Sequence, residues 1–440
     1  MVLDGCAVLW TIHWPVPGTI NDLITTVETY LRQKLVNSDV YLIFDRYYPY
    51  SPKGGTRSHR SSGTHSGPFH LTSTSPLPSQ SVSLSIVDNK VQIIDTLCDA
   101  LIGRFQKEVT RRKLVITGSD PVPHDIQAGV YTRRTDLSVT HEEADVIIAN
   151  HVVHIARETQ RTVHVVCDDT DVFVLLVHFY SSEGLQGNIF IVPTCTSMQI
   201  IDIHATAMKH HDIAKYILPL HALTGCDTVS TLYGIGKIKA WKVLKQGHLP
   251  PLLGDSDTSI DALEATAVRF IARCYGIKAA GTMSEVRFSV WQHKTSRGKS
   301  HRFKLASLPP TSSAFQLHVR RAHYQACLWK ASLQSSPPSV DSTDFGWTAD
   351  HANQILLPVT LPVGTLAAPE KVLNLLCCSC FSADACASRR CTCRKSDIAC
   401  SMFCKCHMSC NIHCMNPLNK TVQDIMDGDD VDTDDEDDDQ

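Results

Sequence analysis

The chain has 440 residues, 43% hydrophobic and 20% charged, with a formal net charge of −4. That length can bury more than one core, so roughly two or three folded units are expected. The composition is that of a soluble globular protein, and with no apolar run of about 18 residues no transmembrane helix is expected. The opening stretch MVLDGCAVLWTIHWP has an acid and no basic leader, so no secretory signal is expected either. The acids are uneven. The stretch DGDDVDTDDEDDDQ is almost wholly acidic, which leaves the rest of the chain net basic.

In chain order, CAVLWTI and VYLIF read as buried strands. Between them NDLITTVETYLRQKLV carries Leu23, Ile24, Val27, Tyr30, Leu31 and Leu35 as a helical stripe. Residues 51–80, rich in Ser, Gly, Pro and His, read as a long mobile loop. KLVITG, TVHVVC and NIFIVP are further strands, with HEEADVIIANHVVHIARETQ a helix between two of them. Strand and helix in alternation predict an α/β domain with a mainly parallel sheet covered on both faces. Beyond it, DALEATAVRFIARCYG and SSAFQLHVRRAHYQACLWKAS predict helices, and SLQSSPPSVDSTDFG a linker. The expected divisions are 1–245, a helical extension over 246–335, an irregular segment over 336–376, a cysteine module over 377–416 and a disordered acidic tail over 417–440.

Acids recur where predicted elements end. Asp45 follows VYLIF, Asp169 and Asp171 follow VHVVC, and Asp4 lies just before the first predicted strand. Glu143 and Asp145 open a helix, and Asp227 falls in the turn-like HALTGCDTVS. Ligands of open α/β sheets gather beyond the carboxyl ends of strands. Asp169 and Asp171, two apart in an extended segment, would point the same way and serve one ion. Hard oxygen ligands suit Mg²⁺ or Mn²⁺. Taken singly, each acid is more simply a helix cap or turn residue, and Glu142 and Asp168 are expected to be solvated neighbours. Taken together, the recurrence favours a shared metal cluster. No matching set of adjacent basic residues is evident, so some of the acids should titrate high without metal.

Two basic stretches follow acids. GIGKIKAWKVLK, after Asp227, offers Gly234 and Gly236 for close backbone approach to a phosphate, with charge from Lys237, Lys239 and Lys242. SPKGGTRSHR, after Asp45, offers Lys53, Arg57 and Arg60.

Cysteine usage is lopsided. Eleven of the 18 cysteines crowd between Cys377 and Cys414. They include three Cys-x-Cys pairs, Cys378/Cys380, Cys391/Cys393 and Cys404/Cys406, with Cys386, Cys400 and Cys410 between or after them. Nine thiolates exceed what separate four-coordinate zinc sites need, but about three ions with bridging thiolates would use them all. The segment is too short and polar to build a core, so metal would hold it folded.

The motifs VVCDDTDVFVLL, THEEADVII, IFDRYYP and LTGCDTVSTLYGIGKIKAWKVL, in their order, resemble the PIN-like, flap-endonuclease-type nuclease fold. The cysteine segment resembles the tesmin-type CXC domain. Together they resemble a group of long animal proteins, often associated with mobile elements, that join the two. The resemblance implies a three-layer PIN-like domain whose Asp4, Asp45, Glu143, Asp145, Asp169, Asp171 and Asp227 hold two Mg²⁺ or Mn²⁺ ions for phosphodiester hydrolysis. It implies a helix-hairpin-helix over 227–245 that tracks a duplex, and a cleaved phosphate reached by Lys53, Arg57 and Arg60. It implies about three Zn²⁺ on Cys378, Cys380, Cys386, Cys391, Cys393, Cys400, Cys404, Cys406 and Cys410, with Arg394, Lys395 and Lys405 toward DNA. The glycine-led N-terminus of flap endonucleases and the DNA-contacting tyrosine of CXC domains have no counterpart here. The expectation is a nuclear, structure-selective, metal-dependent nuclease acting on DNA, with the cytoplasm as the other location. The alternatives are an RNA-directed PIN nuclease and a non-catalytic DNA- or chromatin-binding protein.

Overall fold

The computed structural model describes residues 1–61, 69–159, 161–194, 198–255, 258–295, 305–365, 378–382, 384–395, 400, 404–407 and 414–417, with backbone alone at 58–61, 295, 305 and 407. One compact unit comprises Met1–Gly281 and Ser313–Thr360, and a second comprises Thr282–Ser312 with the chain from Leu361 on.

Eight strands of the first unit are β1 (Val2–Asp4), β2 (Val40–Ile43), β3 (Leu114–Thr117), β4 (His124–Gln127), β5 (Val130–Arg133), β6 (Val163–Val166), β7 (Ile189–Val192) and β8 (Ile201–Asp202). They form one sheet in the order β5-β4-β3-β2-β1-β6-β7-β8. The five central strands are parallel, and β4, β5 and β8 close the edges antiparallel. All residues of β2 and β3 are buried, the pattern of strands covered on both faces.

The helices are α1 (Gly5–Thr11), α2 (Ile20–Leu35), α3 (Gly54–Ser61), α4 (Gln80–Ser85), α5 (Val87–Phe105), α6 (Ala144–Thr159), α7 (Thr170–Ser182), α8 (Ile203–Lys209), α9 (Ala214–Leu223), α10 (Lys237–Lys245), α11 (Ile260–Cys274), α12 (Met283–Thr295) and α13 (Ser312–Lys330). Leu3, Leu42, Leu114 and Ile116 share a core with Leu23, Ile24, Val27 and Leu31 of α2 and Ile93, Leu97 and Leu101 of α5. Tyr41, of opposite pleat, meets the His151 ring of α6, centroids 6.3 Å apart. The sheet is therefore sandwiched, as right-handed crossovers require when the chain runs β1-β2-β3 one way and β6-β7 the other. The reversal happens at β1. Loops leaving β1, β2 and β6 diverge there and open a crevice at the carboxyl edge.

Several expectations change. CAVLWTI is not a strand but α1, because a short apolar run does not distinguish strand from buried helix. The strand is VLD before it, so Asp4 ends β1 rather than preceding it, and its Oδ1 caps α1 by accepting from the N–H groups of Cys6 (2.8 Å) and Ala7 (3.1 Å). Gly5 is required there, since a Cβ would lie 2.3 Å from the Phe44 ring. Residues 51–80 are not one loop: they hold α3, and Ser73 and Ser75 carbonyls accept from α2's first N–H groups. The segment 336–376 contains a hairpin of β9 (Trp347–Asp350) and β10 (Ile355–Pro358), whose Trp347 and Leu356 are buried with Tyr324 of α13. The first unit thus runs through the expected boundary at 245 and takes in α13 and the hairpin. Among the described residues no helix is long and apolar enough to cross a membrane.

In the second unit, the cysteine segment has a helical turn at Thr392–Lys395 and a 3-10 turn at Lys405–His407. Its core is sulfur: Cys378, Cys386, Cys391, Cys393, Cys400, Cys404 and Cys406 cluster with one alanine, Ala385. Cys410 and residues 418–440 lie outside the described residues, so the acidic-tail expectation does too.

Candidate metal centres

At the carboxyl edge of the first unit's sheet lies a cleft of about 510 Å³ lined by Asp4, Asp45, Asp145, Asp169 and Asp227, with Trp10, Lys53, Arg57 and Lys90. Each acid is placed by a backbone device. Asp4 caps α1. Asp45 leaves β2 and caps a different element, its Oδ1 accepting from Ala144 N–H (2.8 Å) at the start of α6. Glu143 immediately precedes α6 and Asp145 stands in its first turn, where Asp145 lines the cleft. Asp169 caps α7, its Oδ1 accepting from Asp171 N–H at 2.7 Å. The pair is therefore a helix N-terminus and not the extended segment expected, but the convergence survives: ligand oxygens of Asp145, Asp169 and Asp171 all lie within 4.8 Å of one another.

Behind the acids are braces that the sequence reading missed. Arg46, beside Asp45, is 1% exposed. Its guanidinium donates to the carbonyls of Gly118 (3.0 Å), Val139 (2.6 Å), His141 (2.8 Å) and Asp120 (3.3 Å), and its own N–H to Glu142 O (2.8 Å). It ties the end of β2 to the loop that delivers Glu143 and Asp145. Buried His221 of α9 donates from Nε2 to Asp171 Oδ1 at 2.6 Å. Such partners orient metal ligands. A basic residue at the right spacing from no obvious motif gives no sequence signal, which is why both were overlooked.

The expectation that no cations balance the cluster is corrected. Lys53 Nζ lies 3.3 Å from Glu143, 3.6 Å from Asp145 and 3.9 Å from Asp227. Lys90 of α5 lies 3.8 Å from Asp45. Glu142 and Asp168 are not merely solvated: Glu142 pairs with Arg57, and Asp168 Oδ1 accepts from Thr194 N–H at 2.9 Å.

The electrostatics still show crowding. Burial and the neighbouring Asp45 charge raise the Asp4 carboxyl to about 6. Burial, then the charges of Asp169 and Asp171, outweighs Lys53 and pushes Asp145 well above the carboxylate range. Burial and Asp171 likewise raise Asp169, and burial raises Glu143. Burial opposes the charges of Asp45 and Asp171 as well, but Lys90 and Lys53 hold Asp45 low and His221 holds Asp171 low. The Oε2 of Glu143 is buried with no hydrogen-bond partner of good geometry. A set of hard, crowded, partly unsatisfied oxygens fits a divalent cation.

The basic stretches fare unevenly. Arg57 lies over the Tyr47 ring at 4.6 Å as well as beside Glu142. The Arg60 side chain lies outside the described residues. Gly236 caps α10 and Gly234 has φ 70°, so the turn between α9 and α10 depends on glycine at that point. Lys239 and Lys242 are exposed, but Lys237 is not a surface cation. Its Nζ donates to His221 O (2.8 Å) and to Gly225 O, and burial lowers it to about 8.

In the cysteine cluster, three quartets have sulfurs close enough to share an ion: Cys378/Cys391/Cys393/Cys400, Cys378/Cys380/Cys386/Cys391 and Cys378/Cys386/Cys400/Cys406. Cys378 belongs to all three. Cys404 lies 3.5 Å from Cys393 and accepts from the Cys378 N–H at the same distance. Arg394 N–H and Asn416 Nδ2 donate to the sulfurs of Cys391 (3.4 Å) and Cys400 (3.3 Å). Burial works against a Cys391 thiolate, yet that Arg394 N–H and the neighbouring thiols bring it down to about 7. The Arg394 guanidinium, expected to face DNA, instead donates to the carbonyls of Cys386 (3.2 Å) and Ala387. Arg389, Arg390, Lys395 and Lys405 are exposed.

No protein-family model matches the chain, and no curated protein does. Among solved structures the chain is similar to the T5 D15 protein co-crystallised with metal ions, at 13% identity, over 76% of this chain and 96% of that one, with a TM-score of 0.34.

Proposed function

We propose that the first unit is a PIN-like, flap-endonuclease-type nuclease that hydrolyses phosphodiesters with divalent metal, and that the cysteine cluster is a zinc-bound DNA-binding module. The observation that carries the nuclease reading is the convergence of Asp145, Asp169 and Asp171 oxygens within 4.8 Å at the switch point of a parallel sheet. Asp145, Asp169 and Asp171 would hold one Mg²⁺ or Mn²⁺, and Asp4, Asp45, Glu143 and Asp227 would complete a two-ion centre. Ions bound there would supply an activated water and charge stabilisation of the leaving oxygen. The chain's own part is placement. Strand ends and helix caps fix the carboxylates, Arg46 and His221 brace them, and Trp10, Lys53 and Arg57 line the same cleft. Lys239 and Lys242, exposed on α10, suit phosphates, which position a substrate without encoding sequence.

The cysteine reading rests on three overlapping quartets that share Cys378, the geometry bridging thiolates need. The exposed Arg389, Arg390, Lys395 and Lys405 supply the charge for phosphate contacts.

Incubating the full chain with branched and single-stranded DNA and RNA, with Mg²⁺, with Mn²⁺ and with chelator, tests the first reading. Metal-dependent cleavage of any of them supports it, and the polymer cut decides between DNA and RNA. Binding without cleavage under all conditions leaves the non-catalytic DNA-binding alternative.

A further inference from the structure

Lys53 is the unusual member of the acid cleft. Its ammonium occupies a position that three carboxylates from two separate segments share, at 3.3 Å from Glu143, 3.6 Å from Asp145 and 3.9 Å from Asp227. Its side chain is only 13% exposed. The backbone beneath it is pinned. Lys53 N–H donates to Ser51 Oγ at 3.1 Å, and Tyr50 N–H to Gln354 O at 2.7 Å on the turn of the β9–β10 hairpin. Gly54 lies so close to the hairpin that a Cβ would be 3.2 Å from Ile355, and Thr56 donates to Asp227 O at 3.0 Å. What can move is the four-carbon stem, which carries a compact, rotatable charge.

The same Asp145 that pairs with Lys53 also belongs to the tight trio with Asp169 and Asp171. One carboxylate cannot serve an ammonium and a divalent cation fully at once, because two cations held on it repel each other strongly where water is excluded. Without a metal, however, removing the ammonium would leave the buried Glu143 and Asp145 carboxylates without the cation they share. The two demands are opposite, and a flexible lysine on a pinned backbone meets both.

We propose that Lys53 is the resting counter-ion of the acid cleft: its ammonium holds Glu143, Asp145 and Asp227 together before metal arrives, and an incoming divalent cation displaces it from Asp145. Lys53 is then a positioning residue that trades metal affinity for stability of the metal-free fold. The inference rests on the metal reading of the cleft made above. It concerns loading of the site, not cleavage.

The test is Mn²⁺ binding to the full-length protein, followed by electron paramagnetic resonance, for wild type, Lys53→Met, Lys53→Arg and Asp171→Asn, with melting temperatures measured in chelator and in excess Mn²⁺. The expected result is that Lys53→Met binds Mn²⁺ about ten-fold more tightly than wild type, as loss of a competing buried charge requires. It should also melt lower than wild type in chelator and recover in Mn²⁺. Lys53→Arg, which keeps the charge, should bind no more tightly than wild type. Should Lys53→Met not fold in chelator, Lys53→Gln, which keeps donors for Glu143, carries the same affinity comparison. Equal or weaker Mn²⁺ binding by the uncharged variants overturns the proposal while leaving the metal site standing. If Asp171→Asn does not reduce Mn²⁺ binding, both the counter-ion and the metal reading fall together.

Discussion

The two candidate metal centres are built on opposite plans. In the acid cleft the ligands are the ends of a finished fold. Val2, Leu3, Leu42, Ile43 and Ile116 are fully buried beneath them, and the carboxylates hang from strand ends and helix caps. Metal there would act on a scaffold that already exists. In the cysteine segment the candidate ligands are themselves the core, with Ala385 as their one aliphatic companion among the described residues of the cluster. Metal there would be the folding energy. The contrast teaches where a metal's free energy goes: into chemistry when apolar burial has already fixed the chain, into structure when it has not.

The sharpest break of that contrast is metal removal. Strong chelation should unfold the cysteine segment and expose its thiols to a colorimetric reagent, while circular dichroism of the α/β unit persists. Loss of the α/β signal at the same chelator concentration would erase the distinction. Within the cysteine cluster, Cys378→Ser should lower the zinc content of the full chain from about three ions, the number that nine shared thiolates suit, because Cys378 serves all three quartets. Cys414→Ser, outside every quartet, should leave it unchanged. A content of one or none in wild type by elemental analysis contradicts the shared cluster.

Arg46→Met tests the scaffold side. It leaves buried carbonyls of Gly118, Val139 and His141 without their charged donor. With hydrogen bonds to charged groups contributing about 1.5–3 kcal/mol each, a loss of roughly 3–5 kcal/mol is expected by denaturant unfolding. A loss under about 1 kcal/mol would mean that the brace relaxes without cost.

A smaller effect concerns pH. Asp4 is raised in the fold to about 6 from its ordinary value of 3.8. For a carboxyl raised on folding, the stabilising contribution is full below the unfolded value and is lost as pH rises through the folded one. Metal reverses the preference by favouring the charged form. The gain in melting temperature on adding Mn²⁺ should therefore shrink as pH falls through about 6. A gain that grows on acidification would contradict an Asp4 that shares the site.

The smallest effect is at the surface. Lys395→Ala with Lys405→Ala should weaken binding to every DNA sequence alike and flatten the salt dependence by about two phosphate contacts' worth. Arg394→Ala should act differently, loosening the cysteine cluster, since its guanidinium is spent on the carbonyls of Cys386 and Ala387.

Much of the plan was legible from residue order. β2, β3, β6 and β7 are apolar runs bounded by turns, and α2 and α6 carry their stripes openly. Asp45, Glu143, Asp145, Asp169 and Asp171 were legible as residues at element ends and Asp227 as a turn residue; Asp4 was placed one element out because α1 and a strand share the same short apolar run. Asp169 and Asp171 were found for a reason that proved different, a helix cap in place of an extended pair. What stayed hidden was long-range: the pairing of Lys53 with the acids, Lys90 beside Asp45, Arg46 beneath them and His221 behind Asp171. These contacts join residues 45 or more positions apart through the sheet's switch point, and no local pattern records them. The hairpin of β9 and β10 was missed because its four-residue strands carry too few alternating positions to show a period.

The proposed role of the acid cleft as a hydrolytic metal centre stands or falls on its carboxylates. Its most direct test is Asp171→Asn in a cleavage assay with Mg²⁺ or Mn²⁺ on branched and single-stranded DNA and RNA. Asparagine keeps an oxygen for the His221 hydrogen bond, removes one charge from the crowded trio and should leave the fold intact. The account predicts that wild type cuts and the variant loses at least about a hundred-fold in rate, as expected for removal of an electrostatic contact to the reacting centre. A variant that folds and cuts as fast as wild type would contradict it.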